Sequence, residues 1–394
     1  MPEVYLDHNS TTVIDPQVAL DMAEALQGGF ANPASQHGPG RRARQALAAA
    51  RERIGGLLGS KLGPGGDRLI FTSGGTEANN LAVFGMCGTP PASIVISSIE
   101  HPSISRPSAK LQSLGFEVRS LPANSAGTIE ADRLSDLIDG STRLVCLMLA
   151  NNETGVIQPV QQAAEICRKA GVWIHTDAVQ AIGKTEVDFS RLGVSSLSLG
   201  AHKFNGPRGI GALLIRPEVP LSQLLFGGSQ QLSLRPGTED VALAAGMCSA
   251  LSRWDEHAEV RRREMLKLRE RFEERLLRQV SDAVIVGRDS MRLPQTCQVA
   301  FPGVNRQSLF MAVDQRGIAI STGSACASGS SDPSPTLLAM GLAAEIVGGA
   351  VRVSFGFQTT QDELDFAADQ IAQVVQKLRE KVATGGSARP SRLG

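Results

Sequence analysis

The chain has 394 residues, 42% hydrophobic and 20% charged, a composition of the globular, water-soluble kind and a length that suits two domains better than one. Lysine plus arginine equals aspartate plus glutamate at 39 each, so no charge excess points to nucleic acid or to an anionic membrane surface as a partner. No run approaches the ~18 apolar residues that cross a bilayer, and no basic stretch followed by an apolar one opens the sequence, so neither a membrane span nor a signal peptide is expected and the expected location is cytoplasmic.

In chain order, the small basic run Arg41-Arg42-Ala43-Arg44 reads as the solvated start of a helix. A short apolar strand at 68–72 leads through two glycines to a helix at 76–86. Strand 93–97, helix 102–114 ending at Gly115, strand 116–121 and helix 130–138 follow. Residues 143–149 are apolar throughout, the mark of a strand buried on both faces. Helix 160–170 stops at Gly171, and strand 172–176 comes next. The alternation continues to about residue 215 and predicts a parallel or mostly parallel sheet with helices on both faces. From 239 to 279 Gly and Pro nearly vanish, which predicts one long helix or two joined ones. A second unit at 284–381 carries short strands at 298–301, 318–321 and 351–355, and the Gly/Ser/Pro-rich residues from 383 onward read as a frayed tail. The six cysteines are scattered with no C-x-x-C pair, which argues against a zinc knuckle. Most should be buried small hydrophobes, and Cys87, Cys146 and Cys167 sit in apolar patterns that fit this.

In such sheets ligands bind outside the carboxyl ends of the strands, and the chemically informative residues fall there. After 68–72 comes Ser73-Gly74-Gly75-Thr76, a tight turn into a helix whose free N–H groups and positive dipole end suit a phosphate. By itself it is an ordinary capped turn. After 93–97 comes His101, an imidazole able to stack on a flat ring and move protons, although a single histidine at a strand end is more often just exposed. After 143–149 comes Asn151-Asn152-Glu153-Thr154-Gly155, which also makes a plain turn. After 172–176 comes Asp177, with Gln180 close behind. A carboxylate there is costly unless it meets a cation such as a protonated pyridine nitrogen, or it caps a helix. Lys203 then stands between an apolar strand and a Gly/Pro loop, where desolvation would free its amine for a Schiff base. Taken one at a time these are weak signals. In order at successive strand ends, a phosphate cradle, a ring-stacking histidine, a cation-pairing aspartate and a Schiff-base lysine are what pyridoxal 5'-phosphate (PLP) needs.

With those residues in place the chain resembles the cysteine desulfurases of the NifS/IscS type, within the class-V aminotransferase family of fold-type I PLP enzymes. The likeness covers nearly the whole chain. It runs from Tyr5 to Thr12 and Asn32 to Ser35 through 72–80 (TSGGTEANN), 151–155 (NNETG), 175–180 (HTDAVQ) and 201–209 (AHKFNGPRG) to 321–329 (STGSACASG) and Arg352 to Gly356. It implies an α/β architecture: a large domain at 16–255 with a mostly parallel seven-stranded sheet between helices, and a smaller α+β domain from 1–15 and 256–382, with the Cys loop at about 321–335 and a flexible tail at 383–394. It also implies roles. Lys203 would hold PLP and move the substrate α-proton, His101 would stack on the ring, and Asp177 would pair with its nitrogen. Asn152 and Gln180 would bond the ring oxygen, and Gly75, Thr76 and His202 the phosphate. Thr238 would reach the phosphate of a neighbouring subunit, which makes a homodimer. Asn152 and Arg352 would bind the substrate, Arg352 clamping its carboxylate, a pairing that guanidinium geometry favours.

Cys326 lies in a small, Gly/Ser-rich stretch bounded by Pro333, the composition of an exposed loop. An exposed free thiol invites oxidation, so its place there argues for use. On a loop it can attack the sulfur of bound L-cysteine, leave L-alanine, and carry a persulfide to an acceptor protein whose identity the sequence does not contain, for iron–sulfur clusters or another sulfur pathway. Gly200 departs from the pattern, since related enzymes commonly have Ser beside the phosphate, and the missing hydroxyl costs on the order of 1 kcal/mol. Two rivals stand: selenocysteine lysis or another class-V reaction, and an inactive sulfur carrier that kept the fold. A nucleotide-binding protein has no phosphate-loop motif to support it.

Overall fold

The computed structural model of the chain describes residues 3–29, 31–323 and 332–385. Its strands, in chain order, are β1 (Val4–Tyr5), β2 (Arg68–Thr72), β3 (Ser93–Ser97), β4 (Glu117–Leu121), β5 (Thr142–Cys146), β6 (Trp173–Asp177), β7 (Ser196–Gly200), β8 (Gly211–Ile215), β9 (Val284–Ile285), β10 (Thr296–Ala300), β11 (Ile318–Ala319) and β12 (Ala350–Ser354). Seven of them form one sheet in the order β2-β8-β7-β6-β5-β3-β4. All pairings in it are parallel except those of β8, which runs antiparallel to both β2 and β7.

Side chains alternate across each strand, and here the alternation feeds two separate cores. Leu69, Phe71, Ala212 and Leu214 join one core with the helices Gly38–Leu57, Val160–Ala170 and Val241–Asp255. Ile70, Leu213 and Ile215 join another with the helices Gly75–Met86 and Pro102–Ser113. This is the expected sheet covered on both faces. A third core surrounds the sheet β12-β10-β9 and takes in Phe272 and Leu276 of the helix Ala258–Gln279 and Leu364 and Ile371 of the C-terminal helix. β1 joins this region by parallel pairing with β11.

The structure departs from the sequence reading in several local places. Residues 130–138 form only a 3-10 turn, Ala131–Arg133, and one α-turn, Leu134–Leu137, because no side chain caps the start and Ile138 turns extended. β5 stops at Cys146 rather than 149, since the Met148 N–H is taken by the Glu100 carboxyl instead of a neighbouring strand. The stretch 239–279 is two helices, Val241–Asp255 and Ala258–Gln279, broken at 256–257. The helix at 160–170 ends as expected on Gly171 in the left-handed conformation (φ 69°), and Arg41, Arg42 and Arg44 are exposed on a helix.

Six parallel strands bring their carboxyl ends to one edge, and antiparallel β8 brings its amino end there too. The segment 7–12 is strapped across that edge. His8 N donates to Ser354 O at 3.0 Å, and Thr12 N and Oγ1 both donate to His202 O at 2.9 and 2.8 Å.

Candidate active site

The carboxyl edge surrounds a cavity of ≈ 570 Å³. Gly75, Thr76, His101, Asn152, Asp177, Gln180, His202, Lys203 and Arg352 all line it. Thr238 does not: it is exposed, away from the cavity of its own chain. Cys326 lies outside the described residues.

At one end the helix Gly75–Met86 points its first N–H groups into the cavity. A Cβ on Gly75 would sit 2.5 Å from Val179 Cγ2, so only glycine lets the helix start pack onto the loop after β6. At Gly200 the opposite holds. Its φ of −139° suits any residue, and an added Cβ would rest 3.4 Å from Gly75 N, in ordinary contact. His202 places Nδ1 3.1 Å from Thr11 Oγ1. Burial and the neighbouring Lys203 and Arg208 cations drive it down to about 4, so it is a neutral imidazole near neutral pH.

Asp177 ends β6, its Oδ2 accepting from Asn79 Nδ2 at 2.7 Å and its Oδ1 from Val179 N at 2.9 Å. Asn79 also donates to Ser103 Oγ at 2.7 Å, and Ser103 Oγ lies 2.7 Å from His101 Nδ1. The Ser103 N–H donates to the same Nδ1 at 3.1 Å. A backbone N–H can only donate, so Nδ1 is an acceptor and the neutral ring carries its proton on Nε2. Burial lowers the His101 pKa, Asp177 raises it and Lys203 lowers it. Behind this chain, His175 Nε2 meets Asn79 Oδ1 at 3.0 Å, and complete burial pushes the ring to about 3. Asn79 is thus oriented by a neutral histidine and in turn orients the carboxylate.

Glu100 Oε1 accepts from Ser97 Oγ at 2.6 Å and Met148 N at 2.7 Å, while its buried Oε2 has no partner. Burial, with Asp177 acting the same way, raises it to about 8. It is a neutral carboxylic acid in the cavity wall.

Lys203 sits on the turn Ala201–Lys203 after β7, half-buried, and its Nζ donates to Asn9 O at 2.5 Å and Ser10 O at 2.7 Å. Gln180 Nε2 donates to the same Asn9 O at 2.8 Å. Arg352, on β12, is almost wholly buried and already engaged: Nη1 donates to Asn152 O and Gly323 O, both at 2.9 Å, and Nη2 to Asp7 Oδ1 at 2.6 Å and Ser10 Oγ at 2.9 Å. Gly323 precedes the Cys326 segment by one residue. On its far side, Ser334 Oγ donates to Glu153 Oε2 at 2.6 Å, and Pro335 and Thr336 line the cavity. Both flanks of that segment therefore touch the site.

Of the other cysteines, Cys87, Cys146, Cys167 and Cys297 are buried and Cys248 is half-buried. Burial raises all five thiols, Cys167 to about 12, which leaves none of them a ready nucleophile. Sequence reasoning overlooked Asn9, Ser10, Asn79, Glu100 and Arg208 as cavity residues. Asn79 had a signal: a polar residue on the apolar side of a helix, one turn past its start.

The family model for class-V aminotransferases matches residues 4–366. A relative named cysteine desulfurase IscS, from Dictyoglomus turgidum, is 38% identical over 96% of this chain and 95% of its own length. A solved structure titled NifS-like protein superposes with a TM-score of 0.88 at 32% identity, covering 95% of this chain and 100% of that one. Another, titled SspA in complex with cysteine, has a TM-score of 0.77 at 30% identity and covers 91% and 100%. The chain belongs to the class-V aminotransferase family.

Proposed function

We propose, with that membership as the premise, that the chain is a PLP-dependent cysteine desulfurase, which converts L-cysteine to L-alanine and passes the sulfur to Cys326 as a persulfide. The single observation that carries this reading is that Lys203, Asp177, His101 and the helix start at Gly75 converge on one cavity, from which both flanks of the cysteine-bearing segment are reached.

The residues present fit PLP. The Gly75 N–H groups, Thr76 and neutral His202 offer donors to its phosphate. Asp177, held by Asn79 and Val179 N, offers a carboxylate to its ring nitrogen, and His101 a flat ring to stack on. Lys203 offers the amine that holds it, and PLP supplies there an electron sink for charge developing at the substrate α-carbon.

The chain's own groups do the rest. The carbonyls of Asn9 and Ser10 orient Lys203 Nζ, which would take the α-proton of cysteine. His101, with its proton on Nε2, is arranged as a proton donor. Arg352 meets the substrate carboxylate, which competes with Asp7 and the Gly323 carbonyl for the guanidinium. The Cys326 thiolate attacks the substrate sulfur: the carbon–sulfur bond breaks, a sulfur–sulfur bond forms, and the α-amino acid leaves as alanine once protonated. Cys326 follows Gly323 by three residues, a span of about 10 Å of extended chain.

The reading includes a homodimer in which Thr238, exposed and outside its own chain's cavity, reaches the partner's phosphate end; Phe226 and Leu232, large apolar side chains open to solvent at 82% and 72%, are apolar surface that a second copy would cover. No helix among the described residues is long and apolar enough to cross a membrane, and we place the enzyme in the cytoplasm, handing its persulfide to an acceptor protein. The test is incubation with L-cysteine: alanine and sulfide should form in equal amounts with a thiol present, and Cys326→Ala should abolish persulfide labelling of the protein. Selenocysteine lysis would instead show selenide release far exceeding sulfide release.

A further inference from the structure

The most deeply buried amine among the described residues is not Lys203 but Lys184, which stands outside the cavity and takes no part in the reaction outlined above. It is 3% exposed, and its Nζ donates to the backbone carbonyl of Lys203 at 2.6 Å. Its other neighbour is the indole of Trp254, whose ring centre lies 5.4 Å away. No carboxylate comes within ion-pair distance of it among the described residues. A buried lysine with a carbonyl and an aromatic ring for company is an expensive arrangement, and nothing in the packing requires it, since a methionine has similar volume.

The charged groups around it come from three elements. Lys203 faces it from the turn after β7. Arg261, on the helix Ala258–Gln279, shares the Trp254 ring at 5.2 Å. His8, with Asp7 beside it, faces it from the strap, and burial followed by Lys184 itself pushes His8 down to about 4. Burial first, then Lys203, then Arg261 drive Lys184 down to about 7. Repulsion between two amines is mutual, so while Lys184 holds its proton, as it does below about pH 7, its charge acts on the Lys203 nitrogen in the same sense.

We propose that Lys184 is the positioning residue of Lys203: it fixes the Lys203 backbone from behind through the carbonyl and sets beside it a second positive charge that favours the uncharged form of the Lys203 nitrogen. A neighbouring cation is one of the known physical means of activating a lysine, and here the cation is held by the segment that follows Asp177 and Gln180, so one stretch of chain serves both the cofactor's ring and its anchor. The proposal rests on the reading of Lys203 as the PLP-holding residue.

The experiment is a pH titration of the visible absorbance of the cofactor-loaded enzyme, wild type against Lys184→Gln, Lys184→Met and Lys184→Arg, with thermal melts alongside. Glutamine keeps a donor for the Lys203 carbonyl and removes the charge, and methionine removes both. In each the midpoint should rise by roughly one pH unit, the scale of one like charge nearby in a protein interior. Arginine, which stays charged, should hold the midpoint at or below that of wild type. A midpoint unmoved in Lys184→Gln, or raised in Lys184→Arg, overturns the proposal whatever the melts show. A wild type with no visible band lost in Lys203→Ala would overturn the PLP reading and this inference with it, whereas a normal wild-type band with unshifted variants overturns the inference alone.

Discussion

Two walls of the cavity are built on different principles. The wall made by the seven-stranded sheet takes its residues from the ends of β2, β3, β6 and β7, so Thr76, His101, Asp177 and Lys203 appear in the order the strands are made. The wall made by β12 and the strap 7–12 joins residues far apart in sequence: Arg352 Nη2 meets Asp7 345 residues away, and Asn9 Nδ2 meets Thr296 Oγ1 287 residues away. On the sheet wall the polar groups are relayed one to the next, from His175 through Asn79 to Asp177 and from Asn79 through Ser103 to His101. On the other wall one guanidinium is divided among Asn152 O, Gly323 O, Asp7 Oδ1 and Ser10 Oγ, and its Nε, like Glu100 Oε2 on the sheet wall, has no partner. The sheet wall is preorganised for a fixed group, while the strap wall keeps a guanidinium whose partners a substrate can exchange.

That contrast is open to test. The largest effect belongs to the sheet wall. Lys203→Ala should remove the visible band and lower desulfurase turnover by at least about a hundredfold, the scale of one lost acid–base group, and a variant that kept both would break the reading of this wall. Next comes the strap wall. Arg352→Lys keeps the charge but loses the fork, so KM for cysteine should rise about tenfold with a smaller change in kcat. Equal losses in both walls' variants, with no KM component for Arg352, would erase the distinction.

A smaller effect concerns stability. The folded-state pKa of Glu100, about 8, lies above its ordinary value, so between the usual carboxylate range and pH 8 the native state binds more protons than the unfolded one. The Glu100 contribution to stability is therefore present at low pH and lost as pH rises through that window. Buried His8, His175 and His202, all depressed, act in the opposite sense below about 6.5, so the comparison must be between variants. The thermal midpoint of Glu100→Gln relative to wild type should climb from pH 5 to pH 8, and a flat difference would show that Glu100 ionises freely. The smallest effect is Gly200→Ser. Its Cβ fits, and a new hydroxyl beside Gly75 N should slow cofactor loss by about fivefold, corresponding to ~1 kcal/mol for one hydrogen bond. Faster loss would mean that Gly75 N is needed alone.

The sequence by itself determined the sheet wall. Apolar runs that alternate with helical stretches dictate a covered, mostly parallel sheet, and such a sheet leaves no place but its carboxyl edge for the polar residues that end each strand. For the same reason the expectation that Cys87, Cys146 and Cys167 are buried holds, because their apolar neighbours decide it locally. Tertiary structure alone decided that 130–138 is too weakly capped to be a helix and that β5 gives up Met148 to a carboxyl from the loop after β3. It alone also brought Asn9 and Ser10 onto the Lys203 amine and Asp7 onto Arg352. Desolvation illustrates the division. The flanking sequence of Lys203 led to the expectation of a dehydrated amine, and the turn after β7 leaves that lysine half-buried, while the full dehydration falls on Lys184. Burial depends on what packs from elsewhere in the chain, here Trp254 from a helix some seventy residues on, and no local pattern carries that information.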